Sequence, residues 1–289
     1  MKLWASQTAE AVCFFRALEH RRPEGERALE DGYAHLFLGP AMRASLEAWT
    51  RGGRLGGLAE SATFGLGPFI VARHRFIDEV LERTLADGGL DRLVLLGTGY
   101  DTRPFRFAEA LQRGGVEVVE IDHPATGKRR RAVLERHRER FPEIERRVLA
   151  VDFEHEDLGE RLAAEGLTDA ARTFWVWEGV SMYLTRAAVQ RTLSTLHDAC
   201  GAGSHLCLDL WFLVDDPGFS GTVLRTIPGA LSFIGEPITF GLHPEDAPVF
   251  LEQEGWAVAE LADADGLSAR YLGGERPSYR ACYVVHAKG

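Results

Sequence analysis

Short apolar runs and longer amphipathic segments alternate from residue 92 to residue 210, and this alternation restricts the possible folds more than any other feature. The apolar runs have the length of strands, and the segments between them are long enough to form helices. Strands joined by helix-length crossovers are parallel, and the crossovers are right-handed. The sequence therefore predicts a doubly wound α/β core, with strands near 92–96, 116–121, 147–151, 173–177 and 204–210 and a last strand at 282–285.

Two regions do not follow this alternation. Residues 1–70 show helical spacing, with Phe14, Phe15 and Leu18 on one side of a segment, and predict an N-terminal helical cap. Within the remaining unit, 71–289, a stretch rich in Gly, Pro and aromatic residues at 212–240 follows a central strand. An insertion at that position predicts a lid over the carboxyl ends of the strands.

Composition and charge exclude several classes of function. The 289 residues carry a formal net charge of −10, whereas nucleic-acid binding needs clustered positive charge. The basic run 128–131 is followed by Glu135 and Glu139, a pattern typical of a solvated helix face. The four cysteines lack ligand spacing, which predicts neither a metal site nor a disulfide framework. With no apolar span of membrane length, we expect a cytoplasmic protein without a membrane partner.

The strand near 92–96 leads into a loop that contains Gly97 and Gly99. Glycine lets the backbone approach a ligand closely and adopt conformations that a side chain forbids. A dinucleotide-binding loop would carry a third glycine where this chain has Thr102, so the pyrophosphate cradle is missing. The loop predicts a close ligand contact and argues against a nicotinamide oxidoreductase.

Acidic residues follow the next three strands of the predicted sheet. Asp122 lies about twenty positions after the glycines, where a carboxylate accepts from both hydroxyls of a ribose. Asp152 is placed to accept from an adenine amino group, and Phe153 offers a ring face. Glu178, at the end of the fourth strand, is placed to meet a cationic amino group. Ribose, adenine and a close backbone loop without a pyrophosphate cradle indicate S-adenosylmethionine, and Glu178 is consistent with its amino end.

Each of these acids also has a purely structural interpretation. Asp122 and Asp152 are both suited to capping the segment that follows them. For Glu178 the structural interpretation is weaker, because it lies beside Trp175 and Trp177 in the sequence, where a carboxylate is costly to bury unless it has a partner.

Four segments, taken in order, resemble the leucine carboxyl methyltransferase family; they are 95–103, 120–124, 151–153 and 177–184. Within that family, the bacterial branch of small-molecule O-methyltransferases is the closer match. Residues 72–78 resemble the arginine-bearing helix of that family. The resemblance implies a class I methyltransferase sheet of seven strands with the last one antiparallel, and S-adenosylmethionine as cofactor. It implies that these residues contact the cofactor: Arg73, Gly97, Gly99, Asp122, Asp152, Phe153 and Glu178. Arg73 would pair with the methionine carboxylate.

The resemblance also implies a methyl acceptor with an oxygen nucleophile, often a carboxylate. An ionised carboxylate needs only to be aligned with the methyl group, whereas a hydroxyl needs a general base. The histidines near the predicted loops are His74, His123 and His243. The candidates for orienting the acceptor are Arg103, Arg106 and Tyr183.

The predicted function is transfer of a methyl group from S-adenosylmethionine to a small-molecule carboxylate or hydroxyl, in secondary metabolism. One alternative is methylation of a protein C-terminal carboxylate, as in the eukaryotic branch of the family. A nonenzymatic nucleoside-binding subunit is the alternative from another class. The sequence leaves the oligomeric state open.

Overall fold

The computed structural model describes residues 5–51, 63, 65–153, 155–212, 238–274, 276 and 278–289. Seven strands form one sheet: β1 (Arg92–Leu96), β2 (Glu117–Asp122), β3 (Arg147–Ala150), β4 (Thr173–Trp177), β5 (His205–Trp211), β6 (Ala257–Ala262) and β7 (Cys282–Lys288). Their order is β3-β2-β1-β4-β5-β7-β6. The first five strands are parallel, and β7 pairs antiparallel with both neighbours. The predicted sheet, with its antiparallel last strand, is confirmed.

The described α-helices are α1 (Ala5–His20), α2 (Pro40–Arg51), α3 (Leu66–Asp87), α4 (Arg103–Arg106), α5 (Ala108–Gly114), α6 (Pro124–Arg136), α7 (Leu158–Ala164), α8 (Arg186–Asp198), α9 (Ala247–Glu252) and α10 (Ala264–Tyr271). The spacing between the first two strands predicts one helix near 104–113. The structure has two helices there, because Phe107 ends α4 and serves as the N-cap residue of α5. None of the described helices is long and apolar enough to cross a membrane.

The central strands are buried on both faces, as their continuous apolar sequences predict. Every residue of β1 and β4 is buried. In β4, Trp175 and Trp177 point into one core with α8, whereas Phe174 and Val176 point into the opposite core with α3. A strand that alternates sides in this way is fixed in register, because a slip of one residue would exchange the two sets of side chains. The sheet is therefore a firm support for the loops at its carboxyl edge.

The N-terminal segment packs directly on the glycine loop. Cys13 and Phe14 of α1 share a core cluster with Leu46 of α2 and with Tyr100 of the loop. The ring of Phe37 stacks on Tyr100, with centroids 5.1 Å apart. Helix α3 continues across the predicted cap boundary at residue 70. Of the predicted lid, 213–237 lies outside the described residues.

Two histidines, a half-buried one on β5 and a buried one on β7, form a pair that should make the protein sensitive to acid. His205 Nδ1 lies 2.9 Å from His286 Nε2, and burial, with His205, lowers the pKa of His286 from 6.5 to about 4. Between these values the unfolded chain binds a proton that the folded protein excludes. We expect this group to lower the free energy of unfolding by about 3 kcal/mol as the pH falls from 7 to 4.

Urea titrations at several pH values measure this effect as the difference between the wild type and His286→Asn. His197, whose side chain is 40% exposed, provides the control as His197→Asn. An identical pH dependence of stability in His286→Asn and the wild type would refute the assignment.

Candidate active site

The glycine loop is held to the end of β2 by backbone hydrogen bonds. Gly97 N and Thr98 N donate to Ile121 O at 2.8 and 3.1 Å. Gly99 N donates to Asp122 Oδ2 at 2.7 Å. Both glycines adopt left-handed backbone conformations, with φ of 74° at Gly97 and 52° at Gly99. The loop therefore needs glycine for its conformation, as predicted.

Alanine at position 97 should destabilise the protein for two separate reasons. The left-handed φ costs an L-residue about 1–2 kcal/mol. The added Cβ would also lie 2.5 Å from Cγ2 of Val180, in the loop that follows β4. Gly115→Ala is the matched control, since Gly115 has a φ of 63° and open space around its Cα. We expect the larger loss in chemical denaturation for Gly97→Ala, and equal losses would exclude the contact with Val180.

Asp122 closes the loop against β2 and retains capacity to bind a ligand. Its Oδ1 accepts from His123 N at 2.7 Å. The cap of α6 is His123, whose Nδ1 accepts from Ala125 N at 3.1 Å, so the interpretation of Asp122 as that cap is wrong. Each carboxylate oxygen has a second lone pair available for a hydroxyl donor. Burial raises the pKa of Asp122 to about 6, because little water solvates its charge.

Asp152 and Phe153 follow β3 and lie beside Asp122. Val151 N donates to Asp122 O at 2.9 Å, which places the ends of β2 and β3 together. The Asp152 carboxylate is 3.6 Å from His123 Nε2 and 3.3 Å from Nδ1 of His155, in the segment that follows it, and the N-cap of α7 is Asp157. Phe153 is half-buried against the core under the sheet. The acids after β2 and β3 are thus adjacent, as the topology predicts.

Arg73 pairs with acids of β5 and of the loop after β4, and not with Asp78 or Glu79 of its own helix. Its Nε donates to Glu178 Oε1 at 2.9 Å, and its Nη1 donates to Asp209 Oδ2 at 2.7 Å. Among the described residues, nothing accepts a hydrogen bond from Nη2 of Arg73. Asp209 also accepts from Gly179 N at 2.6 Å. Asp209 was not predicted, although a carboxylate within the apolar run of β5 is a signal that could have revealed it.

Arg103 is fully buried and joins three carboxylates. Its Nε donates to Asp78 Oδ1 at 2.7 Å, and its Nη1 donates to Glu178 Oε2 at 2.8 Å and to Asp101. Its Nη2 donates to the backbone oxygen of His74 at 3.2 Å. Burial opposes ionisation of Glu178, but His74, Arg103 and Arg73 hold the pKa of Glu178 well below its ordinary value. Arg103 therefore fixes the acids around it.

Arg106 and Tyr183 are the other candidates for orienting the acceptor. Arg106 donates to both oxygens of Asp78, at 2.5 and 3.0 Å, and to Thr102 Oγ1 at 3.1 Å. Tyr183 lies half-buried in a one-turn 3-10 helix after β4. The structure gives Arg103 and Arg106 partners other than the predicted acceptor, because their guanidinium groups already lie on protein carboxylates.

The cap contributes Arg16 and Asp31, which the sequence analysis did not identify. Arg16 Nη1 donates to Asp31 Oδ2 at 2.7 Å, and Arg16 Nη2 donates to Tyr100 O in the glycine loop at 2.7 Å. Asp31 Oδ2 also accepts from Thr102 Oγ1 at 2.7 Å. Neither was predicted as a site residue, although both lie in segments, 8–17 and 31–34, that resemble the N-terminal part of the family.

Together these residues form a buried ionic network with an excess of negative charge. Burial, helped by Arg103, lowers the pKa of His74, which leaves this imidazole neutral. The carboxylates then outnumber the arginines by one: Asp31, Asp78, Asp101, Glu178 and Asp209 face Arg16, Arg73, Arg103 and Arg106. An environment of this kind favours a bound group that carries one positive charge.

Side-chain atoms of His74, Asp101 and Glu178 lie within 4.8 Å of one another, a spacing that also occurs in metal sites. Here Arg103 already bridges the two carboxylates, so the positive charge they require comes from the protein itself. We assign no metal to this trio.

The chain matches the family model described as leucine carboxyl methyltransferase over residues 9–197. The matched region contains the glycine loop, the acids after β2 and β3, and Glu178. The chain belongs to the leucine carboxyl methyltransferase family. Its predicted cofactor, S-adenosylmethionine, is thereby confirmed, since the relatives described next are named for dependence on it.

A protein of Streptomyces coelicolor is 31% identical over 256 residues, which cover 88% of this chain and 83% of the relative. A protein of Parafrankia is 32% identical over 259 residues, covering 88% and 77%. Both are provisionally named S-adenosyl-L-methionine-dependent methyltransferases.

Two crystal structures share the fold of this leucine carboxyl methyltransferase family member. One is a DUF574 family protein of Streptomyces avermitilis, with a TM-score of 0.60 and 15% identity over 94% of this chain and 99% of that protein. The other, from Thermobifida fusca, carries the provisional name of a methyltransferase, with a TM-score of 0.58 and 17% identity over 94% and 96%. At these identities the likeness concerns the fold alone.

Proposed function

We propose that this methyltransferase transfers the methyl group of S-adenosylmethionine to an oxygen of a small molecule, a carboxylate in preference to a hydroxyl. The observation that carries the choice of acceptor is the engagement of His74 and His123, the two histidines beside the acids of the site. His74 uses both ring nitrogens inside the ionic network. His123 caps α6, and the ring of His243 lies against Phe212 with centroids 5.3 Å apart.

The residues at the carboxyl edge fit the cofactor in their donor and acceptor chemistry. We propose that Asp122 accepts from the ribose hydroxyls and that Asp152, with Phe153, contacts the adenine. When bound, S-adenosylmethionine supplies an electrophilic methyl group on a positively charged sulfur. The backbone of Gly97 and Gly99 would lie close to it.

The amino-acid end of the cofactor fits the opposite side of the loop. Nη2 of Arg73 has capacity to donate to the methionine carboxylate, as the family resemblance implies. Glu178 has three donors around a carboxylate that offers about four acceptor positions, which leaves room for the ammonium group. The excess negative charge of the network supports the same placement.

A carboxylate acceptor agrees with the engagement of His74 and His123, the two histidines that lie beside the acids of the site. An ionised carboxylate attacks the methyl carbon, the sulfur–carbon bond breaks, and the products are a methyl ester and S-adenosylhomocysteine. No proton has to be removed. A hydroxyl acceptor would release a proton that a base must take. By its resemblance to the bacterial small-molecule branch, we place the reaction in secondary metabolism.

A labelled-methyl transfer screen tests the proposal. The purified chain is incubated with methyl-labelled S-adenosylmethionine and a panel of apolar carboxylic acids, each beside the matched alcohol. We expect label in products that release volatile methanol under mild alkali, as methyl esters do. Label only in alkali-stable products would contradict the carboxylate assignment, and label only in peptides with a free C-terminus would favour a protein acceptor. Arg113→Met, a substitution at a side chain that is 71% exposed, serves as the control variant.

A further inference from the structure

His74 of α3 lies between the cap and the proposed cofactor site. It is 2% exposed. Its Nδ1 is 3.0 and 3.1 Å from the two oxygens of Glu178, and its Nε2 is 3.4 Å from Nη1 of Arg16 in α1. This imidazole therefore connects the cap to the carboxylate that we assign to the cofactor amino group.

The two contacts of His74 select one protonation state. A carboxylate can only accept a hydrogen bond, so Nδ1 facing Glu178 has to carry a proton. Nε2 faces Nη1 of Arg16, which already donates to Asp31 Oδ2 at 2.7 Å and to Thr102 Oγ1 at 3.2 Å. The ring proton then resides on Nδ1, where it is donated to Glu178. A doubly protonated ring would place an N–H against the N–H of Arg16. The acid of the site thus requires, and the arginine of the cap favours, the same neutral tautomer.

Glu178 is held by a donor on each oxygen and by His74 between them. Arg73 binds Oε1, Arg103 binds Oε2, and Nδ1 of His74 is nearly equidistant from both. The arginines fix the two oxygens of the carboxylate, and His74 limits rotation of the carboxylate about the Cγ–Cδ bond of Glu178. A carboxylate fixed in this way is preorganised for one further donor.

We propose that His74 is a positioning residue that orients Glu178 toward the amino group of the cofactor, in the neutral tautomer that Glu178 requires and that the cationic Arg16 of the cap favours. This inference rests on the proposed function, because it takes Glu178 as a cofactor ligand. Arg16 also binds Tyr100 O in the glycine loop. The N-terminal cap therefore supports cofactor binding through α1, in addition to covering the site.

His74→Asn and His74→Gln distinguish this role from simple packing. An asparagine amide nitrogen can take the place of Nδ1 and still donate to Glu178, whereas a glutamine amide nitrogen reaches toward the place of Nε2. In calorimetry with S-adenosylhomocysteine on the full chain, we expect His74→Asn to bind within about threefold of the wild type. We expect His74→Gln to bind about tenfold more weakly, as for a lost hydrogen bond to a charged group.

Thermal unfolding of the free variants supplies the structural comparison. A packing role would lower the midpoint of both variants without separating their affinities. Equal affinities of the two variants would overturn the positioning role, while failure of the wild type to bind S-adenosylhomocysteine would overturn the proposed function itself. If neither variant folds, nitrogen-15 NMR of labelled wild-type histidine decides, because a proton on Nε2 of His74 would refute the inference.

Discussion

Replacing Arg103 with methionine is expected to lower the free energy of unfolding by about 3–5 kcal/mol. The variant keeps a long apolar side chain but leaves Asp78, Asp101 and Glu178 buried with fewer cationic partners. Removing one partner from a buried ionic cluster costs more than the cluster contributes, since the remaining charges lose solvation that nothing replaces. Urea unfolding followed by circular dichroism at neutral pH measures the loss.

The matched control is the same substitution at an exposed arginine. Arg113, 71% exposed, pairs with Glu109 on the surface of α5. Arg113→Met should change the free energy of unfolding by no more than about 0.5 kcal/mol. Comparable losses in both variants would mean that Arg103 is not the centre of the network. Arg103→Lys should recover part of the stability, because one ammonium group restores the charge but cannot reach all the acids.

The sheet could be predicted from the sequence because its signals are local. The strand β4 is a continuous apolar run, and its burial on both faces follows from that composition. The apolar spacing predicts a helix over about 69–85, and helix α3 spans Leu66–Asp87, because that spacing is long and regular. The division between α4 and α5 was missed, because no Gly or Pro marks the turn at Phe107.

The acids of the site were predictable for a different reason. In a parallel sheet, residues that follow successive strands meet at one edge, so the positions of Asp122, Asp152 and Glu178 follow from the topology. Their partners were not predictable in the same way. Arg16 reaches Tyr100, and Arg73 reaches Asp209, over separations that no local pattern records.

The arginines after the glycine loop show what sequence alone cannot supply. Arg103 and Arg106 stand beside the ligand loop, and their charge predicts an anionic partner. That partner is Asp78 for both, on the helix that precedes β1. Charge identifies the kind of partner, but only the fold shows whether the protein or a ligand provides it. Because these cations are satisfied internally, the cationic ligand that the network favours is, in our proposal, the amino group of the cofactor.

Replacing Asp122 with alanine is expected to weaken S-adenosylhomocysteine binding by at least about thirtyfold, because the ribose hydroxyls lose a charged acceptor. The wild-type affinity should also fall below about pH 6, where Asp122 takes up a proton, and level off above it. Asp122→Ala should lack that pH dependence. Asp198→Ala, at a side chain that is 78% exposed, is the control in the same calorimetric titrations. If Asp122→Ala binds S-adenosylhomocysteine with unchanged affinity, or if its affinity depends on pH as that of the wild type does, Asp122 is not part of the cofactor site.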